Sequence, residues 1–295
     1  MRVVVTGREG QVVRALAERG STTGDVIMPL GRPQLDLTGD CEAVLEAISA
    51  AEPDIIVSAA AYTAVDKAES EPDLVFAVNE RGAAAVARAA RLLDVPLVHL
   101  STDYVFDGSK LSPYVEEDEP SPTGVYGASK LAGERAVLAE QGNCAVLRTA
   151  WVYSPFGTNF VKTMLRLAGE RDEIGVVADQ RGNPTSALDI ADGILTVAAN
   201  LQRHTEPELR GIFHMTADGE ASWAEFAETI FAASAKQGGP GARVKPIATT
   251  DYPTPAERPA NSRLDCTKLA KVHGVALPNW RGSTEKVVSR LLDNA

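Results

Sequence analysis

The 295-residue sequence predicts an α/β fold, a doubly wound parallel sheet followed by a smaller C-terminal α/β lobe. Apolar runs alternate with helical stretches through the first half of the chain, as in repeated β-α-β units. The predicted strands cover residues 2–6, 25–30, 54–58, 96–100 and 144–148, and the predicted helices cover 10–19, 40–50, 72–93 and 124–141. Polar residues follow several of these strands, at the edge where open α/β sheets bind ligands.

The second half of the chain is less regular. Its predicted helices cover residues 159–170, 186–200, 222–236 and 284–293. Ser222 and Glu225 have the spacing of a capping box and should begin one of them. Residues 237–259, rich in Pro and Gly, predict a long connecting loop. We therefore expect a first domain in residues 1–150, to which later segments can return, and a lobe formed mainly by residues 151–295.

A glycine turn follows the first strand directly. Gly7 and Gly10 lie between the apolar run and a helix that begins near Gln11 and Val12. Glycines allow the backbone to approach a pyrophosphate, and a helix N-terminus offers free N–H groups to its charge. These four residues predict a dinucleotide site of the Rossmann type.

The end of the second predicted strand indicates which dinucleotide binds. No Asp or Glu stands there to hold the 2′-hydroxyl of an NAD ribose, whereas Arg32 follows closely. A guanidinium group is suited to a 2′-phosphate, so we expect NADPH, with NADH possible. The alternative is that Arg32 only solvates a turn before Pro33.

Tyr126 and Lys130 are four residues apart in a predicted helix, so their side chains share one face. A cation beside a phenol lowers the pKa of the tyrosine, and the hydroxyl can then exchange a proton with an alcohol or carbonyl near neutral pH. Alone, the pair is weak evidence, because two residues at this spacing usually form a surface contact with no function. Joined to the glycine turn, it indicates redox chemistry at a sugar-like carbon.

Composition excludes several kinds of partner. The formal net charge of −11 disfavours nucleic acid and anionic membrane surfaces, and no apolar run is long enough to cross a membrane. The three cysteines are far apart and the four histidines lack metal-ligand spacing, so we expect neither disulfides nor a metal site. With no secretory leader apparent, a cytoplasmic location is expected.

Several ordered motifs resemble the extended short-chain dehydrogenases/reductases. They span nearly the whole chain and read AAAYTAVDKAE (59–69), STDYVF (101–106), YGASKLAGE (126–134), RTAWVY (148–153), NF (159–160), QRGNPT (180–185) and RPANSRL (258–264). The usual third glycine of the family's turn is Val13 here, a departure that affects helix packing more than phosphate contact.

This resemblance implies NADPH-dependent reduction of the C4 ketone of a dTDP-4-keto-6-deoxysugar, with dTDP-4-dehydro-L-rhamnose as the expected substrate. It assigns Tyr126 as the proton donor, Lys130 as its partner and a ligand of the nicotinamide ribose, and Thr102 as the group that polarises the carbonyl. It places Asp36 and Leu37 beside the adenine, and Ala59, Ala60 and Ala61 over the cofactor. The implied substrate contacts are Thr102, Asp103, Tyr104, Trp151, Asn159, Arg258 and Asn261.

The residue after Asp103 distinguishes reaction types. Related nucleotide-sugar dehydratases carry a Glu there, whereas this chain has Tyr104, which argues against elimination of water. Three alternatives stay open: a reductase of another dTDP-4-keto-6-deoxysugar, a redox-neutral epimerase, and a non-catalytic nucleotide-binding subunit similar to the regulatory subunit of methionine adenosyltransferase. Relatives with a Mg²⁺-bridged dimer use acids that are incomplete here, which favours a metal-free monomer or weak homodimer.

Overall fold

Six parallel strands form the central sheet of the computed structural model, which describes residues 1–293. They are β1 (Arg2–Thr6), β2 (Val26–Leu30), β3 (Ile55–Ser58), β4 (Leu97–Thr102), β5 (Cys144–Thr149) and a later strand, Gly211–His214. Across the sheet the order is Gly211–His214, β5, β4, β3, β1, β2. The five predicted strands are confirmed, and the sixth comes from beyond residue 150.

The helices cover both faces of this sheet and build the lobe. They are α1 (Gln11–Thr23), α2 (Cys41–Ser49), α3 (Val65–Ala68), α4 (Pro72–Phe76), α5 (Ala83–Leu92), α6 (Val125–Glu140), α7 (Phe160–Ala168), α8 (Ala187–Arg203), α9 (Trp223–Ala235), α10 (Thr267–His273) and α11 (Trp280–Asp293). A π-helical segment, Ala77–Gly82, joins α4 to α5. Within residues 1–293, no helix is both long and apolar enough to span a bilayer.

Short strands outside the main sheet complete the lobe. They are β6 (Val152–Tyr153), β7 (Glu173–Val177), β8 (Arg181–Gly182), β9 (Thr185–Ser186), β11 (Ala217–Asp218), β12 (Ala221–Ser222), β13 (Arg243–Ile247) and β14 (Leu277–Asn279), with β10 being Gly211–His214 of the central sheet. Because β13 pairs in parallel with β7, the prediction of an uninterrupted loop over 237–259 is wrong. The strand was not predicted because it contains Pro246, and proline within an apolar run argues against a strand except at the edge of a sheet.

The alternation of side chains along β1 divides the core into two layers. Val3 and Val5 pack in a cluster that includes α1 and α8, whereas Val4 packs on the opposite face against α2 and α5. Strands buried on both faces are apolar throughout, which is why residues 3–5 read as an unbroken run. The layers of the sheet thus take α8 and β10 from the second half of the chain, while a third apolar cluster fills the lobe.

The predicted capping box at the start of α9 is confirmed. The Glu225 amide donates to Ser222 Oγ at 3.1 Å, and the Ser222 amide donates to Glu225 Oε2 at 2.6 Å. Two backbone donors that the helix itself cannot satisfy are thereby paired.

Candidate active site

Two connected clefts open at the carboxyl edge of the central sheet. The first, of about 720 Å³, lies among the turn after β1, the ends of β3 to β5, and α6. The second, of about 640 Å³, lies beside the end of β2. Gly7, Glu9, Ala60 and Ala61 line both of them. The clefts therefore form one elongated depression, a shape suited to a dinucleotide.

The glycine turn forms the base of this depression. Gly7 has φ of +101°, and a Cβ added there would lie 3.3 Å from Val13 Cγ2, so Gly7 also makes room for the valine that replaces the third glycine. Gly10 stands at the N-cap of α1, where no side chain satisfies the amides of the first turn. Those amides are available to an anion, and the predicted fit of a pyrophosphate therefore agrees with the local geometry.

Thr6 fixes the backbone opposite the glycine turn. Its Oγ1 accepts hydrogen bonds from the amides of Ala59 and Ala60, at 3.0 and 2.9 Å. The end of β1 is thereby joined to the segment after β3. Sequence reasoning missed Thr6, since a threonine that ends a strand does not reveal which backbone it will hold.

The structure places Arg32 and Asp36 in contact at the rim of the second cleft. Arg32 Nε and Nη2 donate to the two oxygens of Asp36 at 2.9 and 3.0 Å. The Arg32 guanidinium holds the pKa of Asp36 at about 2, with the Thr38 amide and hydroxyl adding to the effect. Arg8 lines the same cleft and was not predicted. The predicted 2′-phosphate partner is thus close to an anion of the protein itself.

Helix α6 brings Tyr126 and Lys130 to the first cleft, and two of its glycines permit the approach. A Cβ on Gly127 would lie 2.1 Å from the Tyr104 carbonyl oxygen, and one on Gly133 would lie 2.1 Å from the Asn79 carbonyl oxygen. Asn79 Nδ2 also donates to Ser129 Oγ at 3.0 Å. Because Asn79 belongs to the π-helical segment, that irregularity contributes to the position of α6.

The start of α6 is held from elsewhere in the chain. Glu69 accepts a hydrogen bond from the Val125 amide at 2.9 Å, while Gly124 at the N-cap has no side chain to do so. Glu69 ends the AAAYTAVDKAE motif. One task of that motif is therefore to cap the helix that carries Tyr126.

The expectation that Lys130 makes Tyr126 acidic is wrong for this structure. Burial, reinforced by the negative charge of Asp103, raises the pKa of Tyr126 to about 12, and a hydrogen bond with Thr102 opposes the rise. Lys130 Nζ instead donates to the Leu100 carbonyl at 2.7 Å. Burial lowers the pKa of Lys130 to about 8, with Glu134 acting in the opposite direction.

Thr102 and Asp103 form a buried polar pair at the end of β4. Thr102 Oγ1 donates to Asp103 Oδ1 at 2.9 Å and accepts from the Tyr104 amide at 3.3 Å. Burial raises the pKa of Asp103 to about 6, although hydrogen bonds from Ser262 and Thr102 oppose it. The Tyr104 ring meets Tyr126 edge to face at 5.5 Å. The predicted Thr102, Asp103, Tyr104 and Tyr126 are thus brought together.

A buried ion pair joins α6 to β5. Arg148 Nε and Nη2 donate to Glu134 at 2.9 and 2.7 Å, and both side chains are 1% exposed. Glu134 also accepts a hydrogen bond from Ser101 Oγ. Strands β4 and β5 are thereby fixed to α6 one turn beyond Lys130. The sequence contained both residues within its motifs but gave no sign of their pairing.

Trp151 lies in the wall of the first cleft, and its contact with a substrate stays a prediction. Its φ is +47°, a conformation that costs energy for a bulky residue and often marks a functional site. One face of its ring stacks on Trp223 with centroids 3.6 Å apart. Trp223 was not predicted, and its own ring lines a third cleft.

This third cleft, of about 390 Å³, lies between α7 and the β7–β13 pair. Arg258, Gln180 and Tyr252 contribute to its lining. The stacked Trp151 and Trp223 separate it from the first cleft. The segment predicted as a loop, 237–259, therefore supplies both a strand and part of a cavity.

Two predicted substrate contacts also have structural tasks. Asn159 caps α7 by accepting from the Lys162 amide, and its Nδ2 donates to Gln11 Oε1 at 3.0 Å. Asn261 Nδ2 donates to the carbonyls of Lys110 and Ser112 at 2.7 and 2.9 Å, while its Oδ1 accepts from Arg263. These bonds give both amides a structural task, and direct contact of Asn159 and Asn261 with a substrate stays a prediction.

Comparison with known proteins agrees with this geometry. The family described as RmlD substrate binding domain matches residues 1–292. The chain belongs to this family. Among curated relatives, a dTDP-4-dehydrorhamnose reductase of Sinorhizobium fredii is 54% identical over 294 residues, covering 99% of this chain and 98% of the relative.

Solved structures extend the similarity to the fold. A dTDP-4-dehydrorhamnose reductase of Clostridium acetobutylicum has a TM-score of 0.91 at 35% identity, covering 99% of this chain and 100% of its own. The enzyme of Bacillus anthracis, solved in complex with NADP, has a TM-score of 0.88 at 36% identity, with 99% of both chains covered. Because these alignments cover 99% of the chain, the structural similarity includes both the sheet and the lobe.

Proposed function

We propose that this protein reduces the C4 ketone of dTDP-4-dehydro-L-rhamnose to the alcohol of dTDP-L-rhamnose, with NADPH as the reductant. The observation that carries the proposal is the convergence of Thr102, Tyr126 and Lys130 on one cleft that continues into the glycine turn. Membership of the RmlD family and 54% identity to a curated dTDP-4-dehydrorhamnose reductase support it.

The elongated depression fits a dinucleotide. Gly7, Gly10, Gln11 and Val12 would hold the pyrophosphate, Arg32, Asp36 and Leu37 the adenosine half, and Ala59 to Ala61 and Lys130 the nicotinamide half. When bound, NADPH supplies the hydride. Arg32 and the nearby Arg8 favour NADPH at the rim of the second cleft, although Asp36 neutralises part of that charge.

Tyr126 is proposed to donate the proton that the new alkoxide requires. With its pKa raised to about 12, the phenol stays protonated at neutral pH and is a competent acid toward the more basic alkoxide. Thr102 lies beside it, and its hydroxyl, on turning from Asp103 Oδ1, would donate a hydrogen bond to the carbonyl oxygen, where negative charge develops. Lys130 would orient the cofactor ribose from its fixed position near Leu100.

The sugar nucleotide is proposed to extend from the first cleft towards the third. Tyr104 and Trp151 would contact the sugar, with Asp103 behind them as a buried carboxyl. Arg258 would pair with the diphosphate. We place the reaction in the cytoplasm, since both proposed ligands carry charges that make membranes hard to cross. The partner is thus a small nucleotide sugar, and we retain the expectation of a monomer or weak homodimer.

The decisive test is NADPH oxidation by the purified protein with enzymatically prepared dTDP-4-dehydro-L-rhamnose. We expect stoichiometric formation of dTDP-L-rhamnose, and a fall in kcat of roughly 10²- to 10⁴-fold in Tyr126→Phe, because that change removes the proton donor. Tyr114→Phe is the matched control. It removes a hydroxyl that donates to Asp107 outside the cleft and should leave kcat within about twofold of wild type.

Two results would contradict the proposal. NADPH binding without oxidation of the keto sugar would favour a non-catalytic nucleotide-binding subunit. Full activity in Tyr126→Phe would remove the tyrosine from the chemistry.

A further inference from the structure

One ion pair joins α3, which lies next to the first cleft, to the loop that lines the third cleft. Arg258 Nη2 donates to Asp66 Oδ2 at 2.8 Å, between residues 192 positions apart in the chain. The Ala256 amide adds a hydrogen bond to Asp66 Oδ1 at 3.3 Å. Asp66 therefore holds the backbone and the side chain of the same loop.

Arg258 has a donor to offer in this arrangement. Its Nη1 is buried and has no hydrogen-bond partner among residues 1–293, whereas Nη2 is directed to Asp66. An unpaired buried donor of a charged group costs free energy unless a ligand satisfies it. Arg258 also lines the third cleft, so a small shift of its side chain would expose that nitrogen to an anion bound there.

Asp66 lies where the two ligand regions meet. It stands in α3, directly after Val65, which lines the first cleft. The Tyr104 phenol, which also lines the first cleft, interacts electrostatically with both Asp66 and Arg258. The pair is therefore placed between the proposed sugar position and the third cleft, while Asp66 itself lines neither cleft.

We propose that Asp66 is a positioning residue, which aims the Arg258 guanidinium at the diphosphate of the nucleotide sugar. This inference rests on the proposed function and deepens it. A partly exposed arginine samples many rotamers, and one fixed carboxylate restricts it to a geometry suited to bidentate recognition of an anion. Asp66 acts through Arg258 and makes no contact with the substrate.

The competing explanation is that the pair only holds the lobe to the sheet. An ion pair whose partners are 41% and 26% exposed adds little to stability by itself. If the pair is structural, its loss should lower the free energy of unfolding slightly and change the affinity for all ligands alike. If Asp66 positions Arg258, its loss should weaken the binding of dTDP and the nucleotide sugar but not that of NADP⁺.

The test measures the binding of dTDP and of NADP⁺ by calorimetry, together with KM and kcat for the keto sugar. The variants are Asp66→Asn, Asp66→Ala, Arg258→Ala and the double variant Asp66→Ala/Arg258→Ala. Asp73→Ala, an exposed acid on the following helix, is the matched control. Asp66→Asn keeps the shape of the side chain, so it serves if Asp66→Ala fails to fold.

We expect Asp66→Ala to weaken dTDP binding and raise KM about tenfold, with kcat and NADP⁺ affinity close to wild type. In the Arg258→Ala background, loss of Asp66 should have no further effect, because the group it orients is gone. Asp73→Ala should match wild type in every measurement.

Three outcomes would overturn the inference, and they are distinguishable. If Arg258→Ala weakens dTDP binding but Asp66→Ala does not, Asp66 has no positioning role and the proposed function stands. If Asp66→Ala weakens dTDP and NADP⁺ equally, the pair is structural. If wild type does not bind dTDP at all, the proposed function fails together with the inference.

Discussion

Asp103 lies in an environment that is unfavourable for a carboxylate. It is 2% exposed, and its Oδ2 has no hydrogen-bond partner within residues 1–293. A carboxyl in such surroundings is more stable protonated, which explains a pKa of about 6. Its charged form also raises the pKa of Tyr126, so the protonation state of Asp103 affects the proposed proton donor.

Asp103→Asn should make the protein more stable at neutral pH. The carboxyl favours the folded state below its unfolded pKa of 3.8, and this contribution is lost as the pH rises through about 6. An amide resembles the protonated carboxyl, so the variant should gain up to about 3 kcal/mol at pH 7, and the gain should disappear below about pH 4. Urea unfolding at both pH values measures the difference.

Asp107→Asn is the control of opposite sign. Hydrogen bonds from the Ser109 amide and the Tyr114 hydroxyl lower the pKa of Asp107, so its charged form stabilises the fold. This variant should lose stability at pH 7 and lose less in acid. A destabilised Asp103→Asn at pH 7 would show that its charged form is well accommodated, contrary to our account.

At the scale of elements, the position of α6 depends on two close backbone approaches. Gly133→Ala would place its Cβ 2.1 Å from the Asn79 carbonyl oxygen, and neither the helix nor the π-helical segment can move away without cost. We expect a loss of about 1–3 kcal/mol in the free energy of unfolding, and a reduced kcat as Tyr126 and Lys130 shift. Chemical unfolding and steady-state kinetics measure the two effects.

Gly282→Ala provides the matched helical control. A Cβ at Gly282 in α11 meets no atom within 4 Å. The substitution should therefore stabilise the protein slightly, by roughly 0.5 kcal/mol, since alanine loses less backbone entropy on folding. Equal effects of the two alanines would contradict the assignment of Gly133 to close packing.

Elements with strong local signals were predictable from the sequence, whereas those defined by partners were not. Apolar runs predicted the buried strands, and the capping box predicted the start of α9. Strand β13 was not predictable in this way, because it contains Pro246 and is defined by its pairing with β7, which is distant in the sequence. The capping of α6 by Glu69 could not be predicted from a local pattern either, since Glu69 and Val125 are 56 positions apart.

At the scale of the whole molecule, the same division applies to the site. Gly7, Tyr126 and Lys130 follow from spacing, and Thr102 from family resemblance. Trp223, Arg8 and the Arg148–Glu134 pair come from tertiary contacts that no local pattern encodes. The structural bonds of Asn159 and Asn261 were missed for the same reason, because a motif shows which residue is present and not which atoms its amide contacts.

The chain folds so that one edge of a sheet faces a lobe built from its second half. The glycine turn, α6 and the end of β4 meet at that edge, and Arg258 returns to it from the far end of the sequence. This convergence is what allows one protein to hold a dinucleotide and a nucleotide sugar side by side. This arrangement therefore supports direct transfer of hydride from the dinucleotide to C4 of the sugar.

The measurement that tests this claim most directly follows deuterium from NADPH labelled at both C4 hydrogens of the nicotinamide. Incubation with dTDP-4-dehydro-L-rhamnose should give dTDP-L-rhamnose that carries one deuterium, at sugar C4, by mass spectrometry and NMR. Tyr126→Phe should give little labelled product in the same time. Product without deuterium, or no product from a protein that binds both ligands, would contradict the account.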